Sequence, residues 1–235
     1  MKNINIKTEE SQYSSHEMLY NVIKVTNINN SCFFVNTSIK GNMRLREKPF
    51  SSHNEILEIV DESGSVLGTA KRSELHGNPS LIHRVVHVLV FDKKGRLLLQ
   101  KRSLHKDVAP GKWDTSIGGH INPGEDTLSA ALREMEEELG VKQCTVEYLY
   151  CYLFSNHIES ELVSTFLCIY DGTFSFNEEE IEEIAFWDME KIKSNLGKGV
   201  FSNHFEKEIV TFFKKSVPSN HPLSGVKNIF MDLDV

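Results

Sequence analysis

The segment from Gly119 to Val141, GHINPGEDTLSAALREMEEELGV, constrains this chain more than any other. Four glutamates, Glu134, Glu136, Glu137 and Glu138, crowd into five positions of a stretch that otherwise reads as helix. Like charges so close destabilise an isolated helix by about 0.2–0.5 kcal/mol per pair. A solvated surface has little use for that arrangement, whereas a divalent cation needs it. At about 100° per residue, Leu128, Ala131, Leu132, Met135 and Leu139 share one stripe, the i, i+3, i+4 pattern of a buried face. Glu134, Glu137 and Glu138 share a different arc, roughly 130° away by the same geometry. Three carboxylates can therefore converge on one point outside the helix. Hard cations such as Mg²⁺ and Mn²⁺ take oxygen ligands in this way, keep several waters and share coordination with substrate phosphates. Asn122-Pro123-Gly124 makes a turn before the helix, and Gly140 stops it. Glu125 sits at the helix start, where a negative charge meets the positive end of the dipole.

Composition narrows the partners. At 40% hydrophobic and 25% charged over 235 residues, the chain has ordinary globular usage and a length suited to one domain with an extension. A formal net charge of −7 argues against a nucleic-acid polymer as partner, since backbone binding needs a basic surface. A nucleotide stays open, because a bound metal reverses the local field. Cys32, Cys144, Cys151 and Cys168 show no C-x-x-C spacing and read as buried reduced thiols. The opening MKNINIKTEE has no apolar leader core, and no apolar run approaches ~18 residues. The expectation is a cytoplasmic protein without membrane contact; a homodimer stays open.

Residues 1–50, rich in Asn, Ser and Lys, read as an N-terminal extension whose role the sequence does not give. The domain spans 51–217, and 218–235 form a C-terminal tail. Ile56–Val60 and Val66–Ala70 read as a hairpin, as do Arg84–Asp92 and Arg96–Arg102 across Lys93-Lys94-Gly95. Trp113–Ile117 reads as a short strand before Gly118-Gly119, and Thr145–Phe154 and Leu162–Tyr170 as two more. Asp188–Asn195 and Asn203–Lys215 read as helices, and Glu178–Glu183 as a solvated turn or helix start. His87, alternating within an apolar strand, and Trp113 read as structural. Strands flanked by helices indicate an α+β or mixed α/β sandwich.

The acidic segment resembles, at every required position, the signature of the Nudix hydrolases, G-x5-E-x7-R-E-U-x-E-E-x-G-U with U a bulky aliphatic residue. Gly119, Glu125, Arg133, Glu134, Met135, Glu137, Glu138, Gly140 and Val141 fill it. The resemblance covers residues 55 to about 195 and implies an α+β Nudix fold, a mixed β-sheet sandwiched between α-helices. It implies Mg²⁺ or Mn²⁺ held by Glu134, Glu137 and Glu138, with the Gly119 carbonyl, bridging the diphosphate of a small-molecule substrate. Arg133 would orient the carboxylates, and the general base would be Glu134 or Glu161. The implied activity is metal-dependent hydrolysis of a P–O–P linkage in a nucleoside diphosphate derivative or another small organic diphosphate.

A second set of residues resembles one branch of that superfamily, type 1 isopentenyl-diphosphate isomerase. It comprises His76, His83, Gln100-Lys101-Arg102-Ser103, Lys106, Pro110-Gly111-Lys112-Trp113, His120, Glu159 and Glu161. The resemblance implies that His76, His83, His120, Glu159 and Glu161 form a metal site, and that Arg72, Arg102 and Lys106 hold a diphosphate. Two departures weigh against isomerisation. The isomerase has an acid–base cysteine immediately before its glycine–histidine pair, where this chain has Gly118. It also has a basic residue where this chain has Glu134. Hydrolysis is the better reading, with isomerisation and a non-catalytic ligand sensor as alternatives.

Overall fold

Ten residues, IHRVVHVLVF, form the strand on which everything else is hung. Dense in β-branched residues, they make a strand buried on both faces. The computed structural model describes residues 54–106 and 108–215; the 1–50 extension, the 218–235 tail and Cys32 lie outside the described residues. The strands are β1 (Ile56–Val60), β2 (Val66–Lys71), β3 (Ile82–Phe91), β4 (Leu97–Arg102), β5 (Trp113–Asp114), β6 (Ile117–His120), β7 (Val146–Ser155), β8 (Ser160–Ile169) and β9 (Ile181–Trp187). The helices are α1 (Arg72–Leu75), α2 (Thr127–Leu139), α3 (Met189–Asn195) and α4 (Asn203–Lys215).

On one edge β3 runs parallel to β8 from Ile82↔Ser160 to Phe91↔Ile169. On the other it meets β1, β6 and β4 in turn, all antiparallel. The period of two along β3 then sorts the core. Val86, Val88 and Val90 face Ala130, Ala131, Met135 and Leu139 of α2. Val85, Leu89 and Phe91 face Ile192 of α3 and Phe205, Ile209 and Phe212 of α4. The result is a mixed sheet between helices, the expected α+β sandwich.

Four expectations are corrected. β3 and β4 do not zip into a hairpin: they touch only at Phe91↔Leu97, because β4 turns away to pair with β9. Trp113–Ile117 splits into β5 and β6, which pair with different strands, β4 and β3. The acidic stretch is an exposed turn over Glu178–Glu180, as expected, but enters a strand at Ile181, where Lys101 of β4 pairs with Glu182 at 2.7 Å. The inner face of α2 is Ala130, Ala131, Glu134, Met135 and Leu139, so Glu134 belongs to the buried stripe, whereas Leu128 and Leu132 are exposed. The helix stops at Gly140 as expected, with φ 67°, and its start is capped by Asp126, which accepts the Ser129 N–H. Cys144, Cys151 and Cys168 are free thiols, of which Cys168 is buried. No described helix is long and apolar enough to cross a membrane.

The α4 side of the sheet holds a buried polar knot. The Glu208 carboxylate accepts hydrogen bonds from Tyr150 (2.6 Å), Tyr152 (2.7 Å) and Thr165 (3.0 Å), and pairs with His87 Nδ1 at 2.8 Å. Burial works against its charge, but His87 and the two tyrosines more than offset that and hold its pKa below the ordinary 4.5. His87 is thus structural, as expected, and it ties β3 to α4. A carboxyl whose pKa is depressed by folding stabilises the fold above its unfolded pKa and ceases to do so as pH falls through the folded one. Replacing Glu208 by Gln or Ala should cost about 3–5 kcal/mol in urea unfolding at neutral pH. The gap between wild type and Glu208→Gln should narrow as pH drops below 4.5; a gap independent of pH would show that Glu208 is not held ionised.

Candidate active site

Glu134 can lie under the sheet because Gly119 has no side chain. A Cβ at Gly119 would fall inside the Glu134 carboxyl group. Helix α2 therefore settles onto β6 with a carboxylate, 2% exposed, pressed on the glycine backbone. Arg133 makes this tolerable. Its guanidinium reaches Glu125 through two bonds of 2.9 and 2.8 Å, Glu134 at Oε1, Glu137 at 3.2 Å and the His120 carbonyl at 2.8 Å. Glu125 also accepts the Asn122 N–H at 2.9 Å, so it braces both the turn and the arginine.

One turn on, Glu138 accepts from Gln100 Nε2 at 3.2 Å and from the Gly118 N–H at 3.4 Å. Its pKa is pushed up to about 8, first by burial and then by the charges of Glu134 and Glu180, with Lys106 acting in the other direction. A carboxylate in this position calls for a nearby cation. The oxygen donors of Glu134, Glu137 and Glu138 suit a hard divalent ion. Gly119, whose carbonyl is expected to join them, lies directly against Glu134.

A second cluster shares β6 with the first: His120 follows Gly119 and so belongs to the other face of the strand. His76, His83 and His120 stand with ring centroids 5.3–5.6 Å apart. One ligand atom from each lies within 4.8 Å of the others, and the same holds for His83, Glu159 and Glu161. The register explains how. His83 on β3 is paired with Glu161 on β8 and neighbours Ile59 on β1. The Gly77 N–H bonds to the Ile158 carbonyl and Ser160 Oγ to the Pro79 carbonyl, which pins the His76 loop against the β7–β8 turn.

The donor set fits a cation. His76 Nδ1 lies 3.2 Å from Glu159 and His83 Nε2 lies 3.5 Å from Glu161. Yet His76 Nε2, both His83 nitrogens, Glu159 Oε2 and Glu161 Oε2 are buried without an aligned hydrogen bond, an arrangement that costs stability unless something satisfies them. Burial, helped by Arg72 and the other two histidines, lowers the His76 pKa to about 4, leaving the neutral imidazole a metal requires.

Two members of this neighbourhood carry no signal in the sequence. Glu55 lies 3.2 Å from His120 Nδ1. His204 of α4 lies 3.3 Å from Glu159 and 3.2 Å from Glu161. Burial opposes its charge, but Glu161 and Glu159 outweigh that and raise its pKa to about 9. The three basic residues expected at a diphosphate have different partners. Arg72 is near enough to His76 to depress its pKa, and Lys106, paired with Glu180 at 3.1 Å, acts on Glu138. Arg102 bonds to the Val108 carbonyl at 2.8 Å and to Asp114 at 3.2 Å, shaping the loop between β4 and β5.

Comparison with known proteins gives the family of the chain. A family profile described as the NUDIX domain matches residues 81–205. An isopentenyl-diphosphate Delta-isomerase of Streptomyces avermitilis is 35% identical over 176 residues, covering 72% of this chain and 87% of that protein. An uncharacterized Nudix hydrolase of Escherichia coli, YfcD, is 31% identical over 138 residues, covering 59% and 76%. The crystal structure of DR0079 from Deinococcus radiodurans shares the fold with a TM-score of 0.58 at 24% identity, covering 66% of this chain and 97% of that one. The Nudix family generally uses divalent cations and acts on small molecules. With its signature helix assembled around Arg133 and the family profile spanning more than half its length, this chain belongs to the Nudix family and is an enzyme of the Nudix hydrolase type.

Proposed function

We propose that this chain hydrolyses a P–O–P linkage in a nucleoside diphosphate derivative or another small organic diphosphate, with Mg²⁺ or Mn²⁺. The observation that carries this reading is the gathering of Glu134, Glu137 and Glu125 on one guanidinium, with Glu138 pushed toward neutrality one turn away. When bound there, the ion would draw charge from the phosphoryl oxygens and lower the pKa of a coordinated water.

The residues divide the remaining work. Glu134, Glu137 and Glu138, with the Gly119 carbonyl, present oxygens to the ion. Arg133 fixes the rotamers of Glu134 and Glu137 and is itself fixed by Glu125. Of the two candidates for general base, Glu134 is the better. Although burial opposes its charge, Glu161 is held well below the ordinary carboxylate range by His204 and His83, which makes it a poor proton acceptor. His76, His83, His120, Glu159 and Glu161 form a second cation site, a reading supported by their unsatisfied buried atoms. Arg72 beside the histidines and Lys106 beside Glu138 supply positive charge for a diphosphate lying between.

Isomerisation of a prenyl diphosphate is the second reading, favoured by this histidine–glutamate cluster and by the name of the Streptomyces relative. Gly118 opposes it, having no side chain to carry a proton. A screen of isopentenyl diphosphate and nucleoside diphosphate derivatives with Mg²⁺ or Mn²⁺ in deuterated ¹⁸O-water (D₂¹⁸O), read by mass spectrometry, separates the readings. Phosphate products carrying ¹⁸O support hydrolysis. Deuterium exchange into isopentenyl diphosphate without phosphate release supports isomerisation. Tight binding with neither supports a sensor.

Two substitutions probe the helix site. Glu137→Gln should lower metal-dependent kcat by at least about 10²-fold. Its unfolding midpoint should stay near wild type, since the Glu137 side chain is 32% exposed; undiminished turnover would remove the basis of the assignment. Gly119→Ala needs no left-handed backbone, so its whole effect is steric. It should destabilise by about 1–3 kcal/mol and displace Glu134. Gly118→Ala, whose Cβ would meet His87 at 3.3 Å, should be milder. Equal costs for the two would contradict the packing of Glu134 on Gly119.

A further inference from the structure

Helix α4 reaches the histidine–glutamate cluster from outside the strands and loops that build it. His204 is its second residue, and the first turn is anchored firmly. Ser202 Oγ donates to Asp114 of β5 at 2.7 Å and accepts the Phe205 N–H at 3.0 Å. Phe205 is fully buried. The His204 ring lies against Phe154, centroid to centroid 3.8 Å, and 6.3 Å from the His87 ring.

This anchored ring divides the oxygens of both glutamates. Glu159 turns Oε2 to His76 and Oε1 to His204 Nε2. Glu161 turns Oε1 to His83 and Oε2 to His204 Nδ1. Each carboxylate thus has one oxygen nearest a histidine of the cluster and the other facing His204, through a hydrogen bond at Glu159 and through charge alone at Glu161. We propose that His204 is the positioning residue of the second cation site, fixing Glu159 and Glu161 together so that one oxygen of each faces the ion. This rests on the reading of His76, His83, His120, Glu159 and Glu161 as a cation site, and extends it by a residue none of the sequence motifs contains.

The physical need is plain. The terminal torsion of a glutamate is broad and roughly two-fold, so an unsupported carboxylate samples many orientations. Ordering it at the moment of binding costs side-chain entropy that a pre-existing partner removes. Outer partners of this kind are commonly worth 10–100-fold in metal affinity. One ring serving two ligands couples them, and it makes the start of α4 part of the site.

The test uses the full chain, stripped by chelator and titrated with Mn²⁺ by calorimetry, with electron-spin-echo spectroscopy to count histidine nitrogens on the bound ion. His83→Ala identifies which class of Mn²⁺ sites belongs to this cluster. His204→Phe keeps the ring against Phe154 and loses both nitrogens, whereas His204→Gln keeps one side-chain donor. The expected result is that His204→Phe weakens the class lost in His83→Ala by about 10–100-fold, with His204→Gln in between. The nitrogen count at saturation should match wild type, whereas the metal-free unfolding midpoint of His204→Phe should fall, since two buried carboxylates lose a partner. If phenylalanine disturbs the metal-free fold, the glutamine variant carries the comparison. Unchanged affinity in the variants overturns the proposal, and so does loss of one histidine nitrogen at saturation, which would make His204 a ligand. If His83→Ala leaves Mn²⁺ binding untouched, the cation-site reading fails, and the role of His204 fails with it.

Discussion

The guanidinium of Arg133 stands among three carboxylates and a carbonyl, and the α2 side of the molecule is arranged around that fact. A planar fork with five donors can bind Glu125 by two parallel bonds while still touching Glu134, Glu137 and the His120 carbonyl. Lysine, a single point charge, could not connect the turn, the helix and β6 at once. Without that connection, Glu134 and Glu137 would lose the guanidinium they share, and the acidic face of α2 would turn to water. With it, the helix can bury Glu134 against Gly119.

The same logic governs the opposite face of the sheet. There β3 and β8 contribute His83, His87, Glu161 and Thr165, and β7 adds Tyr150 and Tyr152. Polar side chains on an inner face would destabilise the sandwich if each stood alone. They do not: Glu208 and His204, one turn apart on α4, each enter a different part of this polar row. Glu208 closes its group completely. The group around His204 keeps buried atoms unsatisfied, and that difference separates a structural knot from a candidate ligand site.

What could be read in the sequence was what is local. Helix α2, its glycine stop and the order of its glutamates follow from spacing within 23 residues, and the structure keeps them. The orientation of α2 was not local. An amphipathic wheel puts Leu128 and Leu132 inward, but the absence of a side chain on Gly119, in another element, rotates the buried stripe toward Glu134. β9 was hidden because its two glutamates look solvated until Lys101 of a distant strand is placed beside them. His204 was hidden for a related reason: nothing within its own helix shows that two carboxylates of the β7–β8 region will meet it. The histidine–glutamate set was visible only through resemblance, and its convergence depends on the register of β3 with β8.

That parallel pairing sets when the second cluster can exist. A ladder joining Ile82 to Ser160 closes only after the long intervening chain has collapsed, since distant pairings come late on entropic grounds. Two of the five donors, His83 and Glu161, face each other on its second rung, Glu159 comes just before its first, and the others arrive with a loop and a separate strand. No partly folded chain can offer this set to an ion. A metal captured there would select the finished architecture over every precursor, so ambient cation would influence how long the molecule lasts as well as what it can catalyse.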